Sequence, residues 1–309
     1  MGTEIPMETR LLIKRVSSGG LVRWDGLPYI WSTNASGKRV ATLSTICATK
    51  NAEWDMVDVD SGATHTGSTA NYLVPNVNQC LSCHSNEDKE AGTAPIGPKI
   101  RNLNGPYRSE SDITTGQSTH AVAGKNQVKY WCDNGLMIGC PDGKNGRPDS
   151  ISHLSNNVLT DLERLPIFNK EGDGDSGNKN SAKDIESRAR AYLEVNCEHW
   201  HNDRGYAAST GFYLDSFKTV DASYGICKST TAPGTEGRGG HIYDFVPKSS
   251  ADSIVVFRTG STATTPSARM PPIARSVYHD EGNALLAQWI NTVRVTDNNK
   301  YPNSQVCGK

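Results

Sequence analysis

The chain has 309 residues, with 32 basic and 33 acidic side chains and a formal net charge of -1. This balance argues against binding to nucleic acid or to an anionic membrane surface, because both need an excess of basic residues. Apolar residues make up 36% and charged residues 21% of the chain, which is too little charge for a disordered protein. The length and composition predict a globular, loop-rich chain with a substantial core.

The cysteines and the N-terminus indicate the cellular compartment of the protein. Apolar runs do not exceed four residues, as in 254–257, so we expect no membrane span. Eight cysteines are many for a cytosolic protein of this size and indicate an oxidising compartment. The first residues lack the basic start and apolar stretch of a secretory signal. We therefore expect a protein of the periplasm or the cell exterior whose export signal is absent from this chain.

Residues 1–75 predict a small antiparallel β region. Strand-like segments are separated by turn formers such as Ser17-Ser18-Gly19-Gly20 and Ser36-Gly37. The predicted strands are 7–16, 27–31, 39–43, 54–59 and 71–74.

Residues 76–169 have little regular pattern. A short helix is predicted over 127–137, in which Val128, Trp131 and Leu136 share one face. Residues 170–184 are polar and rich in glycine. We interpret them as a flexible linker in preference to a calcium loop, because Asp184 stands where such a loop has a bidentate glutamate.

Residues 185–297 contain the two strongest helix patterns, followed by a tail at 298–309. Ser181 and Asp184 resemble a capping box, which predicts a helix over 185–195. A continuous apolar stripe predicts a second helix over 281–293.

The strongest motif is Cys80-Leu81-Ser82-Cys83-His84, which has the spacing Cys-x-x-Cys-His. This spacing is typical of c-type heme attachment, in which both thiols add to vinyl groups of one porphyrin and the histidine is the proximal iron ligand. A zinc ribbon would need a second Cys-x-x-Cys pair, and a thioredoxin-type pair would follow a strand of a βαβ unit. The sequence has neither pattern, so the motif predicts one covalently bound heme c.

A second segment, 197–201, keeps the frame of this motif but has Trp200 in place of the second cysteine. It ends a predicted amphipathic helix and retains Cys197 and His201. Further along, Met270 is followed by two prolines and then by the last predicted helix. A thioether on a loop fixed by prolines is how cytochrome c domains present a distal iron ligand. The segment predicts a second, degenerate heme site.

Further segments along the chain match a known pattern. They are ETRLL (8–12), LPYIW (27–31), YLVPNVNQC (72–80), PIGPK (95–99) with LN (103–104), RARAYL (188–193), GICK (225–228) and RMP (269–271). Together these segments resemble a family of bacterial diheme c-type cytochromes that pair an N-terminal β region with two heme segments. The resemblance runs from near residue 5 to about residue 294 and departs from the family at Trp200, where the family has a heme-binding cysteine.

These patterns and the resemblance together predict an α+β fold, in which the β region precedes two mostly helical cytochrome c-like modules, 76–169 and 185–297. The expected function is electron transfer through heme, with redox proteins as partners. Two other classes remain open. One is a peroxidase-like heme enzyme with a vacant distal position, and the other is a heme-bearing structural or assembly protein that uses the β region as an interaction surface.

Ligand and thiol assignments leave further alternatives. Met137 is the first choice for the sixth ligand of the first heme, with His120 and His153 as rivals. At the second site, we expect a heme held by Cys197 alone, with His201 proximal and Met270 distal. The alternative is a collapsed pocket filled by Trp200. Cys132 and Cys140 are expected to form a disulfide, and no pairing follows for Cys47, Cys227 and Cys307.

Overall fold

The computed structural model describes residues 7–57, 64–84, 95–106, 125–138, 164–231, 234–261, 268–273, 275, 277–293 and 307. It contains both strands and helices. The strands are β1 (Glu8–Val16), β2 (Val22–Thr33), β3 (Arg39–Leu43), β4 (Ala48–Val57) and β5 (Thr64–Val74). The helices are α1 (Val77–His84), α2 (Ile100–Leu103), α3 (Gln127–Asp133), α4 (Ala182–Leu193), α5 (Gly234–Arg238), α6 (Ile254–Gly260) and α7 (Asp280–Thr292). None of the described helices has the length and apolar character needed to cross a membrane.

The strands form two sheets. β1, β2 and β3 pair in that order, antiparallel, and β4 pairs with β5. All five strands overlap the predicted ones, but β2, β4 and β5 begin earlier than their apolar patterns indicate, at Val22, Ala48 and Thr64. For β2 the reason is the register with β1, in which Val16 pairs with Val22 and Leu11 with Leu27. Main-chain pairing extends the hairpin through residues that do not alternate in polarity.

The chain packs as two compact units. The first comprises the described residues of 1–54, 67–96 and 166–309, and the second those of 55–66 and 97–165. The sequence divides the chain differently, because it places α1 in the module 76–169. In the structure α1 belongs to the first unit, together with β1–β3 and α4–α7. Gly26 of β2 shows how closely α1 packs on the sheet, since a Cβ added there would lie 3.0 Å from Cys80 Sγ.

The segment 170–184 is not the flexible linker that we expected. It forms hydrogen-bonded turns and the first residues of α4, which begins at Ala182. Ser181 caps this helix by accepting a hydrogen bond from the Asp184 amide at 3.0 Å, as the capping-box pattern predicts. The buried Asp184 carboxylate in turn accepts hydrogen bonds from the amides of Gly172, Gly174 and Asn180.

The core of the first unit lies between α4 and α7. Both helices fall within three residues of their predicted ends, α4 as the capping box predicts and α7 as the apolar stripe predicts. Trp289 of α7 is buried among aromatic rings, with centroids 5.3 Å from Phe245 and 6.0 Å from Tyr224. The other buried apolar side chains that the two helices contribute to this core cluster are Ile185, Ala189, Leu193, Leu285, Leu286 and Ile290.

In the second unit, α3 ends at Asp133 and not at residue 137. Val128 is buried, as predicted for the apolar face, but Leu136 is 68% exposed and does not belong to that face. The helix ends early because Gly135 takes a positive φ of 66°, a conformation that breaks the helical path. Asn126 caps α3 and bonds to the Asn104 side chain at 2.8 Å.

Candidate functional site

The segment Cys80–His84, for which heme attachment is predicted, lies on α1, and the start of this helix is fixed by a reciprocal cap. The Gln79 amide donates to Asn76 Oδ1 at 2.9 Å, and the Asn76 amide donates to Gln79 Oε1 at 3.0 Å. This is a capping box formed by asparagine and glutamine. It holds the helix that carries Cys80, Cys83 and His84, and the pattern Asn-x-x-Gln could have been recognised in the sequence.

The two thiols of α1 are free and half-buried. Burial raises the pKa of Cys80, and the Arg10 guanidinium opposes that rise. Burial also raises the pKa of Cys83, and the Trp200 side chain opposes it. His84 ends the helix with its side chain half-buried. The helix therefore carries two protonated thiols and an imidazole within two turns.

A group of polar side chains from β1 and β5 lies near Cys80. Tyr72 donates a hydrogen bond to Glu8 Oε1 at 2.7 Å, and Arg10 pairs with Glu8 and donates to the Tyr72 hydroxyl at 3.3 Å. Burial and the Glu8 carboxylate raise the pKa of Tyr72 to about 12. These bonds keep the Arg10 charge beside α1.

The second motif follows α4, which continues into a π-helical turn, Glu194–Glu198. Such wide turns are frequent at functional sites. The amides of Trp200 and His201 both donate to the Cys197 carbonyl, at 3.0 and 2.9 Å. The three residues of the degenerate motif are thus held on one compact loop.

A cavity of about 300 Å³ lies beside this loop and is lined by Cys197, Trp200, His201 and Met270. The structure therefore brings the four residues singled out for the second site to one cavity. The volume is at the lower end of the range for small-molecule sites. Much of the remaining wall is apolar, with Tyr206, Phe212, Leu214, Ile254 and Val255.

His201 is 9% exposed, and its ring contacts Phe212 edge to face with centroids 4.9 Å apart. Burial lowers the pKa of His201 to about 4, and the Phe212 main chain opposes the shift. Within the described residues, Nδ1 is buried without a partner in hydrogen-bond geometry. A neutral imidazole in an apolar cavity is the form that ligates a metal.

Cys197 and Trp200 differ in what they offer to the cavity. Burial raises the pKa of Cys197 to about 12, so the side chain is a free thiol and not a thiolate. Trp200 is 9% exposed and packs on Tyr206 with ring centroids 5.5 Å apart. Its indole nitrogen is buried, and the Trp200 side chain interacts with the Cys83 thiol of α1. The indole contributes to the apolar wall without filling the cavity.

Met270 reaches the cavity from a separate loop. Its amide donates to the Arg258 carbonyl at 2.9 Å, which ties the loop to α6. The same helix contributes Ile254, Val255 and Arg258 to the cavity wall. The pairing of Met270 with the 197–201 loop therefore depends on where α6 packs.

The cavity wall also carries charged side chains that the sequence analysis missed. Lys228 Nζ lies 3.2 Å from Asp244 Oδ2, and Arg258 lines the same space. Burial raises the pKa of Asp244, while the charges of Lys228 and Arg258 lower it. Arg258 follows the apolar run 254–257, which is the one local signal that it belongs to a buried helix.

The other predicted residues lie elsewhere. Met137 packs on Val128 in the second unit, together with Leu103 and Cys132. His120 and His153, its rivals as ligand, lie outside the described residues. Met137 remains a prediction as an iron ligand.

The remaining cysteines have a structural role or are free. Cys227 and Cys307 form a disulfide, a pairing that the sequence left open. Cys132 is disulfide-bonded, and Cys140, the partner predicted for it, lies outside the described residues. Cys47 is a free, exposed thiol hydrogen-bonded to Gln79 and Asn76 at the start of α1.

No protein-family model, curated protein sequence or solved structure matches this chain. Within the described residues, no group of three or more His, Cys, Asp or Glu side chains is arranged to hold a bare metal ion. Heme iron makes a different demand, because the porphyrin supplies four nitrogen ligands and the chain supplies the axial ones. The thiol, neutral imidazole and thioether around the cavity fit that demand.

Proposed function

We propose that this protein is a c-type cytochrome that transfers electrons through covalently bound heme. The observation that carries the proposal is that one cavity is lined by the Cys197 thiol, the neutral His201 imidazole and the Met270 thioether. Histidine and methionine are the axial pair of electron-carrying cytochromes c. A thiol beside such a pair is the group needed for covalent attachment.

The residues of the cavity would have distinct roles. His201 and Met270 would ligate iron, Cys197 would form one thioether bond, and Trp200 would pack against the porphyrin in place of a second bond. When bound, heme supplies one-electron redox chemistry. The apolar wall around Phe212 excludes water from the ligands, and a drier site shifts the reduction potential.

The charged part of the wall supports the same proposal. Heme carries two propionate carboxylates, and an apolar cavity alone would leave them without partners. Lys228 and Arg258 supply two cations in the wall, against one buried carboxylate, that of Asp244. The cavity can thus accept an apolar group that carries negative charge.

The first site is proposed on its motif and on α1. Cys80 and Cys83 are free thiols within one turn of helix, and His84 follows them directly. We propose that this first site also binds a heme, which is held by two thioether bonds and ligated by His84. With the resemblance described above, this makes the protein a diheme cytochrome.

The cysteine pairing supports a place outside the cytoplasm. Disulfides such as Cys227–Cys307 persist in oxidising compartments, which include the periplasm and the cell exterior. We propose this location and redox proteins as transient partners.

The proposal is tested by producing the chain with a periplasmic leader in a host that attaches heme c. Intact mass counts the covalent hemes, and the pyridine hemochrome spectrum reports how many thioether bonds each has. We expect two hemes, one of them with the shifted band of a single thioether. Cys197→Ser should remove one heme and Cys47→Ser, the control for an exposed free thiol, should remove none.

Other results would contradict parts of the proposal. A protein without covalent heme would contradict it entirely. A single heme that is unchanged by Cys197→Ser would contradict heme binding at the Cys197 cavity and would support the proposal only at the first site. A high-spin ferric heme that reacts with peroxide would favour the peroxidase-like enzyme over the electron carrier.

The first site has its own test. His84→Ala should abolish the low-spin spectrum of that heme, and the Cys80→Ser/Cys83→Ser variant should release it into acidified acetone. Heme that stays covalently bound to the double variant, beyond the amount held by Cys197, would contradict the assignment of α1.

A further inference from the structure

Arg275 connects the Met270 loop to the end of α6. Its guanidinium donates hydrogen bonds to the carbonyl groups of Met270, Ser261 and Arg258, the last two at 2.6 and 3.4 Å. Its Nε donates to the Val277 carbonyl at 2.9 Å. One side chain thus gathers four main-chain carbonyls from three separate stretches of chain.

Both main-chain groups of Met270 are held in this way. The amide donates to the Arg258 carbonyl at 2.9 Å, and the carbonyl accepts from Arg275. The Met270 side chain lies in the cavity wall with Cys197 and His201. With its peptide groups fixed on α6, the thioether is directed into the cavity by the backbone and not by its own packing alone.

A thioether needs such support more than an imidazole does. It is neutral and a weak ligand, on a side chain with three rotatable bonds. Interactions outside the ligand shell that orient a ligand typically change metal affinity or activity by 10- to 100-fold. Lysine cannot replace the arginine fully, because a single ammonium group lacks the planar fork that reaches carbonyls on several sides.

We propose that Arg275 is the positioning residue for Met270 as an iron ligand in the second heme site. This inference rests on the proposed function, since it needs heme at Cys197. Arg275 touches neither the cavity thiol nor the imidazole in any described contact. It acts through the loop that carries the methionine.

The test uses the heme-loaded protein with Arg275→Gln, Arg275→Lys and a control, Arg190→Gln. Arg190 also donates to a main-chain carbonyl, that of Lys218, but has no described bond to the Met270 loop. Intact mass gives the heme count, and the weak red absorption band of ferric heme reports methionine ligation. We expect two hemes in every variant. The part of the red band that depends on Met270, taken as the part lost in Met270→Ala, should fall at least about tenfold in Arg275→Gln, remain in part in Arg275→Lys, and be unchanged in Arg190→Gln.

A second readout needs no heme. In the heme-free protein, hydrogen exchange at the Met270 amide should be about tenfold faster in Arg275→Gln than in wild type, and unchanged in Arg190→Gln. This measurement separates a local effect on the loop from a general loss of stability, which would accelerate exchange at buried amides of α7 as well.

The outcomes distinguish the inference from the proposed function. Two hemes with an undiminished red band in Arg275→Gln would overturn the inference and leave the function standing. A wild-type protein without heme on Cys197 would overturn the function at this cavity, and the ligand role of Met270 with it. Unchanged Met270 exchange in Arg275→Gln would overturn the positioning role whatever the heme count.

Discussion

Arg188 Nε lies 3.1 Å from Asp184 Oδ2, and both side chains are buried where the 168–181 turns meet α4. Arg188 also donates to the Phe168 carbonyl at 2.9 Å. The carboxylate accepts from Arg188 and from three main-chain amides, so its oxygens are well satisfied despite complete burial. This pair joins the turns to the core helix of the first unit.

We predict that Asp184→Asn destabilises the protein by about 3–5 kcal/mol, because it leaves the buried Arg188 charge without its partner. The asparagine side-chain amide would also place an N–H donor against the main-chain amides, which are donors themselves. Urea denaturation followed by far-ultraviolet circular dichroism measures the loss. Asp175→Asn, in the same turns but on a more exposed carboxylate, is the control and should cost clearly less. Equal losses in the two variants would contradict the role of Asp184.

The same carboxylate predicts a pH dependence. Burial would raise the pKa of Asp184, yet the amides of Gly172, Gly174 and Asn180 with Arg188 hold it below the usual value of 3.8. The unfolded chain therefore binds this proton more readily than the folded one. The stabilisation is fully present above about pH 4 and is lost as the pH falls below it. Asp184→Asn should show a weaker loss of stability between pH 4 and pH 2 than wild type.

His201 predicts a second pH dependence in the heme-free protein. Burial lowers its pKa from 6.5 to about 4, so the unfolded chain is protonated in a range where the folded chain is not. Stability should be highest above pH 6.5 and decline by about 3 kcal/mol as the pH falls toward 4. Urea midpoints measured across this range should fall less steeply in His201→Gln. A decline of the same size in His201→Gln and in wild type would contradict this role of His201.

At Gly282 we predict that alanine destabilises the protein, which is the opposite of what helix propensity alone predicts. Alanine at a helix interior normally stabilises by about 1 kcal/mol over glycine. Here a Cβ would lie 2.3 Å from the Tyr192 ring, which is itself packed on Phe168 at 5.4 Å. Overpacking of this kind costs about 1–3 kcal/mol. Gly282→Ala should therefore lower the melting temperature, whereas the same change in a Tyr192→Leu background should raise it. A stabilised single variant would show that α4 and α7 are not in this contact.

The Cys227–Cys307 disulfide joins residues 80 apart in sequence. Closing so long a loop restricts the unfolded chain, and its removal should cost about 2–5 kcal/mol. We expect this loss in Cys227→Ser/Cys307→Ser, measured by urea denaturation without reductant. Cys47→Ser should have little effect. A double variant as stable as wild type would indicate that the tail residue Cys307 adds nothing to the first unit.

Local chemistry made part of this structure predictable from the sequence. The cap at Ser181 and the stripe on α7 depend on residues within one or two turns, so their patterns are visible without any tertiary information. The Cys-x-x-Cys-His spacing is local in the same sense, and α1 carries it as one helix. The second motif was recognised for the same reason, although Trp200 interrupts it.

What the tertiary structure decided is which distant residues meet. Lys228, Asp244 and Arg258 reach the cavity wall from three stretches of chain, and no local pattern links them to Cys197. Arg275 and the Cys227–Cys307 pair are of the same kind. Their contacts depend on how α6 and the loops after α4 pack on the core, and that packing is set by the sum of many weak contacts across the whole unit. Residue spacing determines the first kind of feature, and burial in a particular fold determines the second.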